Sequence, residues 1–479
     1  MDFDALLADY QAQLDWLLTL VRDPQGRRFL APRPMAERQA LYQARLEKMR
    51  GFLNFIGNPQ RQFRSVHVAG TSGKGSVTSM IAALLQACGR RTADHTSPYL
   101  QIPNEKLRLN GQMIAPSELG GLIEDFRPKY AAWLAQGGDL LYGEAWVALT
   151  FAWLAQQQPD WAVIETGMGG RLDATNVLPS SLAVITNVGY DHMQVLGETL
   201  AEIAWHKAGI IKEGGVVVSA ESNPDTLAIL QQEARSQHAA FHPLHATHHP
   251  DGAFTLHAPH HTYHLALPLA GTYQQANAAL AIAAVDWLAG AHDFPLTLDH
   301  IHTALDHFNL PGRFELVAER PQVILDGAHN QPKMQALAAS LAACYPDRRL
   351  TVIIGLLYAK DAHSMLAALQ PVARRFIVTQ PHVFGKPVLP PVALAQAARS
   401  AAPDCPVTMA PDVQAALDEA LATADPDDII LVTGSIYLVG EARERWHPRL
   451  TLLRQLEIAA HPTPTTQPPN YPTPPESPP

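Results

Sequence analysis

The chain has 479 residues, 47 % of them apolar and 17 % charged, enough to bury a substantial core and unlike a disordered or fibrous chain. Thirty-five lysines and arginines stand against 45 acidic residues, a formal charge of −10. This excludes the basic footprint of a general nucleic-acid binder, and any anionic small molecule must meet a positive field built locally.

The N-terminal stretch MDFDALLADYQAQLDWLL carries acids where a secretory signal would carry lysine or arginine, and no apolar run approaches the roughly 20 residues of a membrane span. Three scattered cysteines, Cys88, Cys344 and Cys405, show no CxxC spacing and predict neither a disulfide framework nor a cysteine-rich zinc site. A cytoplasmic protein with no nucleic-acid or membrane partner is expected.

Leu7, Tyr10, Leu14, Leu17 and Leu18 recur at helical spacing over 4–18, and a second helical pattern runs from about 35 to 56 before Gly57-Asn58-Pro59. Short apolar runs then alternate with longer helical patterns: 66–69, 161–164, 182–186, 216–219, 323–326, 351–354, 376–379 and 429–433. That alternation predicts an α/β fold of parallel sheets covered by helices. Residues 237–269 break the rhythm with turn residues and nine histidines; irregular spacing favours solvated antiparallel hairpins over a metal site. A break at Leu310-Pro311-Gly312 precedes a fresh set of strands. Half of residues 462–479 are proline, which predicts a disordered tail. The expected organisation is a helical extension over 1–60, a nucleotide-binding α/β domain over 61–310, a smaller α/β domain over 311–458 and the tail from 459.

The sharpest motif is VHVAGTSGKGSVTSMIAALLQACG. A strand runs into a glycine-rich turn, Gly70 to Ser76, and then a helix that buries Val77, Met80, Ile81, Leu84 and Leu85. Backbone N–H groups at Gly73, Gly75 and Ser76, together with the helix dipole, suit phosphates, and Lys74 can neutralise them. Val68 stands where the standard P-loop has a glycine, so this is a P-loop variant.

In DWAVIETGMGGRLDATN, Glu165 ends an apolar strand, the place from which an acid reaches nucleotide-bound Mg2+. Asp191-His192 follows the strand at 182–186 and so shares the sheet edge with the P-loop and Glu165, the edge where ligands bind. Lys207 lies on the otherwise apolar helical stretch AEIAWHKAGII; burying it is costly unless it is paired, chemically altered or snorkels to solvent. In the second half, Leu310 to Glu315 offers Arg313, while Asp326-Gly327-Ala328-His329-Asn330 and Gly434-Ser435-Ile436-Tyr437 each follow a strand. Loops at one edge of a second sheet suggest two domains facing each other across a nucleotide.

Together GNPQRQFRSVHVAGTSGKGS, TSPYL, ETGMGGRLDATN, HMQVLGETLAEIAWHKAGIIK, YQQANAALA, LPGRFE, DGAHN and GSIYLVGE resemble, in order, the folylpolyglutamate synthase and dihydrofolate synthase family of the Mur-ligase superfamily. The resemblance implies a P-loop-containing Mur-ligase central domain, a smaller Rossmann-like C-terminal domain, and a monomer that joins L-glutamate to a folate or dihydropteroate carboxylate at the expense of ATP. It implies that Gly73, Lys74, Gly75 and Ser76 hold phosphates, and that Asn277, Arg313 and Asp326 bind ATP. Ser97, Glu165 and His192 would ligate magnesium, with Lys207 as a carbamate near a second metal. His329 would lie near the phosphates and is the candidate base for the amine. Leu141, Tyr142, Gly143 and Glu144, with Leu172, Asp173 and Ala174, would line the pterin site. Where the family loop usually reads GTNGKGS, Ser72 replaces the asparagine, and TSPYL replaces SPHL.

A carboxylate is a poor electrophile, so ATP must first convert it to an acyl phosphate, with Mg2+ and Lys74 offsetting the repulsion between anions. Two rivals share these motifs: another Mur-type ligase acting on a UDP-linked or amino-acid acceptor, and a nucleotide-gated binding protein without catalysis. Retention of Lys74, Glu165, His192 and Lys207 speaks against the second.

Overall fold

The structure, a computed structural model, describes residues 2–24, 34–249, 252–269, 271–358 and 360–461. The proline-rich stretch 462–479, expected as a disordered tail, lies outside the described residues; the last helix, Arg449–Ala460, ends just before it. No helix among the described residues is long and apolar enough to cross a membrane.

Every apolar run read from the sequence is a strand. An eight-stranded sheet is ordered Gln112–Met113, Leu107–Leu109, Thr92–His95, Trp161–Glu165, Ser65–Ala69, Leu182–Ile185, Val216–Ser219, Ala240–Pro243. It is parallel except for the first two strands, which form an antiparallel edge. Ser65–Ala69 and Trp161–Glu165 are buried along their whole length, since helices cover both faces and leave no polar alternation. The helix Lys74–Ala87 packs on one face through Val77, Met80, Ile81, Leu84 and Leu85, all with no exposed surface. Above it lies Thr272–Ala291, whose small side chains at Ala278, Ala281 and Ala284 belong to the same core. On the other face, the N-terminal helices Phe3–Leu18 and Met35–Phe55 bury Tyr10, Leu17, Met49 and Phe52 against Phe126 and Trp146.

The histidine-rich region departs in part from expectation. Its first strand, Ala240–Pro243, joins the large sheet in parallel, and only the next three, His245–His248, Phe254–His257 and Thr262–Leu265, form an antiparallel sheet. The alternating pattern of 253–265 was readable, whereas the short half-exposed edge strand carries no such period. Several histidines serve local hydrogen bonds: Thr255 Oγ1 lies 2.8 Å from His249 and 2.9 Å from His264. Buried Asp286 meets the His260 backbone N–H, His261 Nδ1 and the Tyr263 hydroxyl at 2.7–2.8 Å.

The second sheet has six strands in the order Glu315–Glu319, Gln322–Leu325, Ile429–Thr433, Leu350–Ile354, Ala373–Val378, Val407–Met409, parallel apart from the first. In each sheet the parallel registers bring carboxyl ends level. Val68 faces Glu165 and Ala69 faces Ile185 in one, while Leu325 pairs with Val432 and Ile354 with Thr433 in the other. The loops that carry chemistry therefore leave from two common edges.

The chain crosses between the two units twice. After the first crossing, at 306–314, the second unit is completed by the helix Ile436–Arg443, which lies against Leu100 of the first. Arg443 donates to Glu315 at 2.9 Å and to Gln101 Oε1 at 2.5 Å. The chain then returns: Arg449–Ala460 buries Leu453 in the N-terminal core, and Glu457 accepts from the backbone N–H of Ser117 at 3.0 Å.

Gly440 is the tightest point of this seam, for an added Cβ would stand 2.0 Å from the carbonyl oxygen of Leu100. Alanine gains about 1 kcal/mol over glycine in a helix. Forcing a methyl into a close-packed site costs about 1–3 kcal/mol, and here the obstacle is backbone. Gly440→Ala is therefore expected to lower the thermal midpoint; an unchanged or raised midpoint in a melting experiment would show that the seam is loose.

Candidate active site

The P-loop is shaped by its neighbours. Gly70 has φ +153° and no room for a side chain, as a Cβ would fall 1.7 Å from Thr186 Oγ1. That hydroxyl donates to the carbonyl of Ser72 at 2.6 Å, and Asn187 Oδ1 accepts from the Ser72 N–H at 2.9 Å. Gly73 takes φ +79°, and its Cβ position lies 2.3 Å from Asn277 Oδ1, so Asn277 closes directly over the turn. Lys74 is held across the loop, with Nζ 3.3 Å from the Gly70 carbonyl and 3.9 Å from Glu165 Oε1.

Glu165 is 5 % exposed and receives one hydrogen bond, from the backbone N–H of Ser97 at 2.9 Å. Burial pushes its carboxyl above the usual range, opposed by Lys74, the Ser97 N–H, Arg313 and Lys333. Lys207 stands near the end of the helix Leu200–Ala208, 2 % exposed, and among the described residues its side chain makes no hydrogen bond or ion pair. Burial, then Lys74, drive its ammonium well below the ordinary lysine range. His192 is a half-exposed residue with φ +51° at the start of a short helix.

From the second sheet, Arg313 lies across Gly327, where a Cβ would fall 2.7 Å from Nη1. Asp326 is fully engaged inside the protein, accepting from Ala328 N–H at 2.8 Å, Phe314 N–H at 2.9 Å and the Tyr273 hydroxyl at 3.0 Å. It thereby ties the Arg313 loop to the helix Thr272–Ala291 of the first unit. His329 has both ring nitrogens occupied, Nδ1 at 2.8 Å from the Gly327 carbonyl and Nε2 at 3.1 Å from Lys333 Nζ.

Asp191 joins the two edges. Lys360 Nζ reaches its Oδ1 at 2.7 Å and Asn330 Nδ2 its Oδ2 at 2.8 Å, both from the second unit. Burial alone would raise its carboxyl, but His192, Lys360, His329 and Lys333 hold it well below the usual range. Lys333 is brought down to about 7 by burial and then by Lys74. Lys106, buried beneath Tyr99 and Trp146, falls to about 8 by burial despite Glu165.

The structure thus brings Gly73, Lys74, Gly75, Ser76, Ser97, Glu165, His192, Arg313, Asp326 and His329 to the carboxyl edges of the two sheets, while Asn277 and Lys207 come from the helices Thr272–Ala291 and Leu200–Ala208. The stretches 141–144 and 172–174 pack against the N-terminal core through Tyr142 and Ala174, and their acids are engaged within the protein. Glu144 pairs with Arg45 and caps its own helix through the Leu141 N–H at 2.7 Å. Asp173 accepts from the Met168 N–H at 2.7 Å and the Thr175 hydroxyl at 2.5 Å. Sequence reading missed Lys333 and Lys360. Lys360 follows the strand Leu350–Ile354 at the same carboxyl edge as the loops that were read, and Lys333 lies four residues beyond His329 on a helix.

Residues 141–285 match the Mur ligase middle domain and residues 312–436 the glutamate ligase domain of Mur ligases. The dihydrofolate synthase/folylpolyglutamate synthase of Bacillus subtilis is 33 % identical over 411 residues, covering 84 % of this chain and 94 % of that protein. The Mycobacterium tuberculosis protein of the same description is 33 % identical over 440 residues, 83 % of this chain and 89 % of its own. Among solved structures, the Mycobacterium tuberculosis folylpolyglutamate synthase complexed with ADP superposes with a TM-score of 0.77 at 32 % identity, over 86 % of this chain and 98 % of that one. The folylpolyglutamate synthase of Thermotoga maritima gives 0.73 at 27 %, over 91 % and 97 %.

Asp191→Asn would strip the counter-charge from Lys360, whose side chain is 13 % exposed. Breaking such a pair at the seam is expected to cost about 3–5 kcal/mol of contact between the units. Faster proteolysis across 306–314 and a larger radius of gyration by small-angle scattering should report it; wild-type values for both would remove Asp191 as a latch.

Proposed function

Because this chain belongs to the dihydrofolate synthase/folylpolyglutamate synthase family of Mur ligases, we propose that it joins L-glutamate to the carboxylate of a dihydropteroate or folate with ATP. The observation that carries this reading is the local cation surplus. An acidic chain of net charge −10 gathers Lys74, Lys333, Lys360 and Arg313 around one cleft beside a P-loop.

The acceptor carboxylate attacks the γ-phosphorus of ATP, the bond to the β-phosphate oxygen breaks, and ADP leaves. The glutamate amine, having lost a proton, then attacks the acyl carbon and inorganic phosphate departs as the amide forms. Gly73, Gly75 and Ser76 supply backbone N–H groups and Lys74 a charge for the phosphates, preorganised by the Thr186 and Asn187 bonds that fix the loop. Asn277 and Arg313 face the nucleotide from either side, and Asp326 orients the Arg313 loop. Leu141 to Glu144 and Leu172 to Ala174 form the acceptor wall, with Glu144 and Asp173 shaping it from within.

Ser97, Glu165, His192 and a carbamylated Lys207 are the residues that would hold Mg2+, and the largely oxygen donor set suits a hard cation. Glu165 fits that task because one backbone hydrogen bond leaves its remaining lone pairs free toward the P-loop. When bound, the metal offsets phosphate charge that would repel the acceptor carboxylate. Lys207 fits carbamylation because its buried, unpartnered amine is driven neutral. A neutral amine adds carbon dioxide and releases a proton, which replaces an awkward buried cation by an anionic oxygen ligand.

With ATP, Mg2+ and L-glutamate, the purified protein is expected to release phosphate in step with amide formed on dihydropteroate or tetrahydrofolate. Turnover with a UDP-linked acid and with neither pteroate nor folate would reject the acceptor assignment. Lys207→Ala should lower kcat by about 10²-fold or more. Lys207→Glu, which carries its own carboxylate, should keep part of the activity and ignore removal of bicarbonate, while the wild type responds to it. Bicarbonate dependence in Lys207→Glu equal to that of the wild type would defeat the carbamate.

A further inference from the structure

Lys333 belongs to none of the motifs read above. It lies in the first turn of the helix Gln331–Cys344, with its Nζ 3.1 Å from Nε2 of His329. The other ring nitrogen, Nδ1, is 2.8 Å from the carbonyl oxygen of Gly327, an atom that can only accept. Nδ1 therefore carries the proton, Nε2 is an acceptor, and Lys333 is the donor of that pair. The backbone N–H of Lys333 is held by Asn330 Oδ1 at 3.1 Å, and the same amide reaches Asp191 across the cleft at 2.8 Å. Main chain and side chain are thus both fixed relative to the opposite sheet.

The surroundings of Lys333 are unbalanced. Lys74, Arg313 and Lys360 press on it, and Asp191, the acid that opposes them, is itself engaged by Lys360 and Asn330. Cations crowded at this density call for a multiply charged anion among them. A depressed ammonium, at about 7, is what such crowding together with burial produces. One of the three N–H bonds of the ammonium goes to His329, and two remain.

We infer that Lys333 is a phosphate-binding residue, carrying a cation of the C-terminal sheet to the transferred γ-phosphoryl group of ATP, with His329 as the positioning residue that aims it. The inference rests on the ligase reading above. A γ-phosphoryl group between Lys74 and Lys333 is gripped from both units, while ADP, which lacks that group, is gripped by the P-loop side alone. The lysine pair therefore discriminates substrate nucleotide from product nucleotide.

Equilibrium binding of ADP and of a β,γ-methylene ATP analogue, each with Mg2+ and without acceptor, tests this on the full chain. In Lys333→Met the analogue is expected to bind about tenfold more weakly and ADP within about twofold of wild type, the loss of one charge-assisted hydrogen bond. Lys333→Arg should restore most of the analogue affinity, and kcat of Lys333→Met should fall while KM for glutamate stays put. Equal weakening of both nucleotides, no weakening of either, or a raised KM for glutamate with analogue affinity intact would overturn the assignment. A melting midpoint for Lys333→Met matching wild type guards against misfolding; should that variant unfold, Lys333→Gln retains a donor for His329 and serves in its place. Because no acceptor is present, an error in the acceptor assignment would leave these nucleotide affinities as expected and show itself only in turnover.

Discussion

Mutual repulsion among Lys74, Lys333, Lys360 and Arg313 is the constraint around which the cleft is organised. Folding brings these cations together because each sits on a loop or helix start at the carboxyl edge of a parallel sheet, and the two edges face one another. Two acids temper the repulsion from opposite ends. Glu165 lies beneath Lys74, and Asp191 receives Lys360 and Asn330 from the second unit. What they leave uncompensated is a field suited to phosphates, inside a protein whose overall charge is negative. The global charge is silent on what the chain binds.

The same acids show how structure and chemistry share residues. Asp326 spends its carboxylate on three protein donors and so positions Arg313 without needing to touch a ligand itself. Glu144 and Asp173 likewise hold backbone N–H groups of their own loops, at Leu141 and Met168. Charge was therefore not a reliable guide to contact: several acids of the motifs face inward and support the backbone, while neighbouring N–H groups, glycines and lysines face the cleft.

How much of this was legible follows from how local each signal is. Apolar runs such as 161–164 and 429–433 became strands because both faces of a parallel strand are covered, which writes itself as an unbroken apolar stretch. Thr92–His95 escaped notice because Asp94 and His95 are polar yet buried, satisfied by Arg108 and Thr150 from distant segments. The P-loop was readable because its geometry needs only consecutive residues. Asp191 as a hub was not, since its partners lie 139 and 169 positions away and no period connects them. Lys333 was within reach, because it stands in the first turn of the helix into which the loop 326–330 leads.

The return of Arg449–Ala460 to the N-terminal core gives the molecule a second chain crossing beside the one at 306–314. A body joined to another through a single strand can twist, tilt and slide; joined at two separated points, it keeps one easy freedom, rotation about the line through both. Displacement then scales with distance from that axis. Gly312 and Gly440 both pack against Leu100 beside the two crossings. The direction of that one freedom is set by covalent connectivity, whatever the contacts in the cleft.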